Sequence, residues 1–212
     1  MKHYNNLLSA FLLFSILFMA SCSQIEEALD SGGLEINSAE SVGELRKLIE
    51  EKFGPEKEVF ALKIYAKDHL SSDLNNLAIG YLEKGLQYRQ NYYVELGLES
   101  NKLEDPKPAS KSFQKPFFLK KLQGKVKVKD FKIEEIASKF DEAMQMIPQE
   151  YEEFVLHEWE YEVNNQNEIT AEFMLEGTKK GEGSTRQGRN VITNYYQFKF
   201  KMDKTGKLTL KN

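Results

Sequence analysis

Residues 155–163 read VLHEWEYEV, and residues 169–176 read ITAEFMLE. In the first stretch Val155, His157, Trp159, Tyr161 and Val163 alternate with Leu156, Glu158, Glu160 and Glu162. In the second, Ile169, Ala171, Phe173 and Leu175 alternate with Thr170, Glu172, Met174 and Glu176. Side chains on a strand point to opposite faces with period two, so each stretch predicts a strand with one apolar and one polar face. Antiparallel sheets that keep one face wet have this pattern, whereas doubly covered parallel strands read as unbroken apolar runs.

Outward from this pair the same half continues. Upstream, residues 125–131 read as a lead-in strand and residues 133–147 as a helix, with Ile133, Ile136, Ala137, Phe140, Met144 and Ile147 on one stripe and Pro148 closing it. Downstream, Ile192, Tyr196, Phe198, Phe200 and Met202 make a third strand. The turn DKTGK, residues 203–207, leads into a short last strand at 208–210.

The order appears once before. Val42, Leu45, Leu48, Ile49 and Phe53 fall at helical spacing over residues 41–53, with Ser41 and Glu44 fitting a capping box and Gly54-Pro55 ending the helix. Alternating segments follow around Phe60, Leu62 and Ile64, around Leu77, Ile79 and Tyr81, and from Tyr88 through Tyr92 to Leu98. Each half reads helix, then three or four strands. The expected fold is α+β: helix-plus-antiparallel-sheet modules, two in tandem, with one continuous sheet as the alternative. The boundaries follow: 1–21 a leader, 22–40 a tether with Ser31-Gly32-Gly33 as its joint, 41–104 the first module, 105–124 a linker, 125–212 the second module. Residues 102–132 hold ten lysines, no arginine and three of the five prolines, and read as solvated linker, although Phe113, Phe117, Phe118 and Leu119 imply that part of it packs.

The 212 residues are 41% hydrophobic and 29% charged, enough apolar material for a real core. A net charge of -4 argues against general nucleic-acid binding, so no nucleic-acid partner is expected. Fourteen phenylalanines and ten tyrosines favour strands. A single cysteine excludes an internal disulfide.

That cysteine, Cys22, follows a weakly positive start at Lys2 and His3 and an apolar run over residues 7–20 broken by Ser9 and Ser15. The run is short for a membrane span and has the length of a signal peptide. Met19-Ala20-Ser21-Cys22 resembles the lipobox of bacterial lipoproteins. The resemblance implies cleavage before Cys22, a diacylglycerol on its thiol and acylation of its amine, so that acyl chains such as palmitate hold the protein at the outer membrane. Two or three chains anchor firmly where one does not, at roughly 0.8 kcal/mol per buried CH₂. Ser23-Gln24-Ile25-Glu26-Glu27 is similar to the short acidic signal after the lipidated cysteine of surface-exposed lipoproteins. Display at the cell surface and a periplasmic face both stay open.

The helix Phe140 to Pro148, the strands after it and the terminal Asp203…Gly206-Lys207 hairpin loosely resemble PepSY-like and beta-lactamase-inhibitor-like modules of bacterial envelope proteins. This likeness implies binding or inhibition rather than catalysis.

Candidate chemistry is sparse. His157 lies among glutamates, but alternation puts it on the face of Val155 and Trp159 and away from Glu158, Glu160 and Glu162, as a histidine at the core's edge. His69, beside Asp68 in a loop, has no stronger case, and no metal or cofactor is expected. Glu158, Glu160, Glu162, Glu172 and Glu176 read as a solvated face neutralised by Lys199 and Lys201. Residues 177–190, with Lys179, Lys180, Arg186 and Arg189, read as a long hairpin loop able to touch a partner. Tyr92 and Trp159 are further candidates for a partner platform. With no nucleophile elbow, cysteine–histidine pair or zinc spacing, no enzyme is expected. The expected role is a lipid-anchored envelope protein that binds or scaffolds an envelope protein or glycan. The alternatives are a PepSY-like inhibitor or chaperone of an envelope enzyme, and a carboxylate-dependent hydrolase.

Overall fold

A computed structural model describes residues 33–211 apart from 98, 123, 188 and 189. The expected leader, the lipidation site Cys22 and most of the tether lie outside the described residues, as does Arg189. Residues 35–212 form one compact unit. In chain order it contains α1 (Val42–Phe53), β1 (Glu58–Val59), β2 (Ala61–Ala66), β3 (Leu74–Glu83), β4 (Leu86–Leu96), β5 (Glu99–Leu103), β6 (Lys107–Pro108), α2 (Pro116–Lys121) and β7 (Val126–Lys127). There follow α3 (Glu135–Met144), β8 (Tyr151–Val163), β9 (Ile169–Lys179), β10 (Thr185–Gln187), β11 (Asn190–Ile192), β12 (Tyr196–Met202) and β13 (Leu208–Lys211). The fold is α+β and mostly antiparallel sheet. Among the described residues no helix is long and apolar enough to cross a membrane.

The main sheet has nine strands, in the order β13-β12-β9-β8-β2-β3-β4-β5, with β6 added against β4. The strands expected as module 41–104 and those expected as module 125–212 therefore share one sheet. They join where β2 pairs antiparallel with β8, Leu62 opposite Tyr161 and Ile64 opposite Trp159. From that seam each half runs outward as a meander.

One face carries the core. Leu62, Ile64, Leu77, Ile79, Trp159, Tyr161, Phe173, Leu175, Phe200 and Met202 are all buried there. Trp159 stacks on Phe173 with centroids 4.4 Å apart, and Phe173 on Phe200 at 5.2 Å. Both helices cover this face. α1 buries the whole expected stripe, Val42, Leu45, Leu48, Ile49 and Phe53, and α3 buries Ile136, Ala137, Phe140 and Ala143. The Phe131 ring meets Tyr161, whose hydroxyl donates to the Lys132 carbonyl at 3.0 Å. Arg46 ties the helices together. Its guanidinium donates to the carbonyls of Lys129 and Phe131 at 3.0 and 2.8 Å and pairs with Glu134 and Glu50.

Four expectations are corrected. The capping box at Ser41 and Glu44 does not form; the Ser41 hydroxyl donates instead to the carbonyls of Glu35 and Ser38, because the chain before the helix folds back within reach. Residues 125–131 are not one strand, since only Val126–Lys127 pair, with β1, before a 3-10 turn at Val128–Asp130. The segment 105–124 packs in part, as expected, but not by burying its phenylalanines, which stay exposed. β6 pairs with Arg89 and Tyr88, and the Gln114 amide makes two 2.8 Å bonds to the backbone of Gln87. Its far end presses so closely on the β8–β9 turn that a Cβ at Gly124 would stand 1.6 Å from the Asn164 carbonyl oxygen. The fourth correction concerns β8. Its register against β9 slips between Glu152 and Val155 and again between Leu156 and Glu158. The second bulge inserts one residue, so Leu156 and Trp159 share the buried face and His157 does not lie with Trp159.

Candidate functional site

The sheet's other face lacks the α1 and α3 layer and carries only the short α2 at one end, and the register places the chemistry there. Tyr65 lies opposite Glu158 and Lys63 opposite Glu160. Glu158 lies opposite Met174, which lies opposite Lys199. Glu176 lies opposite Gln197, two residues further along the same face. Three features occupy this open face.

The first is a carboxyl pair. Glu160 accepts from the Lys63 ammonium and from the Tyr65 hydroxyl, the latter at 2.8 Å. Half-burial and the neighbouring Glu160 push Glu158 up to about 7. Burial also works against ionised Glu160, but Lys63, Glu158 and Tyr65 hydrogen bonds outweigh it and hold its pKa below the ordinary value. The two carboxyls thus hold one proton on Glu158 near neutral pH. The space beside them, floored by Glu172, Met174 and Lys199, is only about 150 Å³, short of the roughly 300 Å³ at which small-molecule pockets begin. Counter-charge for this face comes by direct contact from Lys63 and from Lys211, which reaches Glu172 at 2.6 Å. Lys199 acts on Glu158 through its charge alone.

The second feature is a groove between the first half of the face and the 105–124 segment. Two adjoining cavities of about 480 and 600 Å³ share Phe60, Ala61, Lys63, Gln87 and Phe113. The Phe60 ring lies over Gly80, where a Cβ would come within 2.6 Å of it, so glycine is required for the ring to form the floor. On the far wall stand Phe113 and Phe118, 53% and 38% exposed, packed edge-on, and Phe117, 64% exposed, packs edge-on against Phe118 beside it. Lys121 stands over the Phe117 ring at 4.4 Å.

The third feature is a cluster at the other end of the face. The Glu176 side chain is fully buried. Its Oε1 lies 2.8 Å from His69 Nδ1 and accepts from Gln197 Nε2 at 3.0 Å, while Oε2 accepts from the Leu70 amide at 2.9 Å. His157 Nδ1 stands 3.8 Å from Oε2. The Tyr195 hydroxyl lies 3.0 Å from His69 Nε2, and its ring stacks on His69 at 4.2 Å. Burial raises the Glu176 pKa, but the bonds from Gln197, Leu70 and His69 and the nearby His157 outweigh it and hold the group below its ordinary value, ionised.

Two local irregularities build this cluster. The β8 bulge turns His157 to the open face. The β2–β3 loop turns at Leu70, with φ 55°, an uncommon backbone for a branched residue, and its Ser72 hydroxyl accepts from the Leu156 amide at the bulge itself.

The sequence-derived candidates are placed as follows. Trp159 and Tyr92 are fully buried, so neither presents a surface to a partner; both faced the core because their strands put them there. The Tyr92 hydroxyl donates to Asn101 at 2.8 Å. Lys179 approaches Glu150 and Glu182 at 3.6 and 4.0 Å, and Lys180 is exposed at the same strand end. Arg186 lies in β10, which pairs with β11 as a small separate hairpin that begins inside the expected loop and takes up Ile192, expected in the third strand. Glu176 is not on a solvated stripe but buried at the centre of a cluster with His69, Tyr195 and Gln197. Neither a protein-family model, nor a curated protein, nor a solved structure matches the chain.

Proposed function

We propose that this chain is a lipid-anchored protein of the bacterial envelope with a non-enzymatic binding or scaffolding role. It is acylated on Cys22 and held at the outer membrane by those chains. In this reading it engages an envelope protein through the open face of its sheet, and its two helix-plus-strand modules act as one rigid fused platform.

The observation that carries the reading is the groove: three phenylalanines left exposed at or beside the wall of an apolar-floored trough, on the face opposite α1 and α3. Exposed aromatics on a groove wall mark interaction surfaces more often than solvated ones. The order of helix and strands that resembles PepSY-like and inhibitor-like modules supports binding as well, and with it the second reading, an inhibitor or chaperone of an envelope enzyme. The hydrolase reading has less support, since the space beside Glu158 and Glu160 is too small to seat a substrate.

The test is affinity capture from solubilised envelopes with the acylated protein and with a Phe113→Ala/Phe117→Ala/Phe118→Ala variant. One stoichiometric partner recovered by the native protein and lost with the variant is the expected result. Equal recovery by both would remove the groove from the account. If the partner is an enzyme whose turnover falls on binding, the inhibitor reading takes over. Protease shaving of intact cells assigns the face of the membrane.

A further inference from the structure

We propose that His69, His157 and Glu176 bind one divalent transition-metal ion, with zinc as the natural occupant. Two imidazoles and one carboxylate are a donor set that suits zinc and its neighbours rather than calcium or magnesium, which take oxygen ligands. The three ligand atoms already lie within 4.8 Å of one another. Tetrahedral zinc with bonds of about 2.0–2.1 Å needs them roughly 3.3 Å apart. His69 Nδ1 lies 2.8 Å from Glu176 Oε1 and His157 Nδ1 3.8 Å from Oε2, and the widest spacing in the set is within 4.8 Å, so the ligands need to draw together by no more than about 1.5 Å, within reach of side-chain rotation.

A second observation points the same way. His157 Nδ1 is buried without a hydrogen-bond partner among the described residues, and it faces a carboxyl group that is itself shut from solvent. A buried nitrogen lone pair with no donor costs stability unless something fills the gap, and a cation between it and Glu176 does. The outer contacts are those a metal site uses. Tyr195 holds the far nitrogen of His69, while Gln197 and the Leu70 amide hold Glu176, fixing the orientation of both ligands. The backbone departs from regular geometry at the β8 bulge and at Leu70, the two places that bring the histidines together. Three protein ligands leave a fourth position, on the side where His69 is half exposed, for water.

The experiment titrates Zn²⁺, and Co²⁺ as its coloured stand-in, into the chelator-treated full chain in detergent. A Cys22→Ser background keeps the thiol out of the reading. The expected result is one ion per chain, a tetrahedral Co²⁺ absorption band and a Zn²⁺-dependent rise in melting temperature. His69→Ala and His157→Ala should each weaken binding by about tenfold or more, while Glu158→Gln should leave it unchanged. Among the described residues the His157 side chain makes no hydrogen bond, so His157→Ala should stay folded even where Glu176→Gln does not. Absence of stoichiometric binding, or equal binding by the native chain and the double histidine variant, would overturn the proposal. Neither outcome bears on partner capture through the groove, which lies at the other end of the face.

Discussion

Glu158 and Glu160 sit two residues apart on a strand face where Lys63 supplies the nearest cation, so only one of them is comfortably charged. With its folded pKa raised to about 7 from an ordinary value near 4.5, Glu158 binds its proton more tightly in the folded chain than in the unfolded one. Its contribution to stability is therefore complete below about pH 4.5 and lost as pH rises through 7. Glu160 runs the other way: its lowered pKa contributes above 4.5, and that is lost as pH falls through its folded value. Glu158→Gln keeps the hydrogen bond and removes the charge. For a half-exposed group, after allowance for solvent screening, it should raise unfolding free energy by about 1 kcal/mol at pH 8 and change little at pH 5. Denaturant melts at the two pH values check this; an equal effect at both would contradict it. Trp159→Ala, in a fully buried stack, should cost about 3–5 kcal/mol by the same measurement. Trp159's burial was legible from alternation, and its other reading as a partner platform came from residue type alone. The Glu176 cluster was not legible: His69 lies 107 residues from Glu176 in the chain, and no local pattern links them.

The elements were the more readable level. Every apolar position of the α1 stripe is buried, and the strands around Leu62, Ile79, Phe173 and Phe200 stand where the period of two put them. What failed were the irregular joints. A bulge without glycine or proline leaves no mark in the alternation of residues 155–163, yet it reverses the placement of His157. The Lys- and Pro-rich composition of residues 105–124 concealed a segment clamped to β4 by Gln114. Between the helices, Arg46 replaces what apolar contact alone would do: two carbonyls and two carboxylates converge on a guanidinium that is 23% exposed. Arg46→Ala should lower stability by about 2 kcal/mol, since it strands those carbonyls together with Glu134. Arg46→Lys should recover only part, for want of the planar fork. On α2, Phe117→Ala and Phe118→Ala should move unfolding by less than about 0.5 kcal/mol, as surface changes do, while reducing partner recovery. A large loss of stability would mean these rings are core and not interface.

At the scale of the molecule, the pairing of β2 with β8 makes one body of two similar halves. Ile64 against Trp159 and Leu62 against Tyr161 are fully buried or nearly so on the helix-covered face, so neither half closes a core without the other. Residues 35–212 should unfold in a single cooperative transition by calorimetry, and chains cut at the 105–124 segment should not fold separately. Two resolved transitions would contradict the shared core. The arrangement also sorts function by side: α1, α3 and core on one face, groove with α2, carboxyl pair and histidine cluster on the other, with Cys22 before them as the proposed anchor. The most direct test of partner binding by that open face is photo-crosslinking in living cells. A photoreactive residue replaces Phe113 on the groove wall in one strain and Met146, exposed beyond α3 on the helix side, in another. The account predicts one discrete adduct from position 113 and none of that mass from position 146. The same adduct from both positions, or none from 113 in acylated, membrane-held protein, would contradict it.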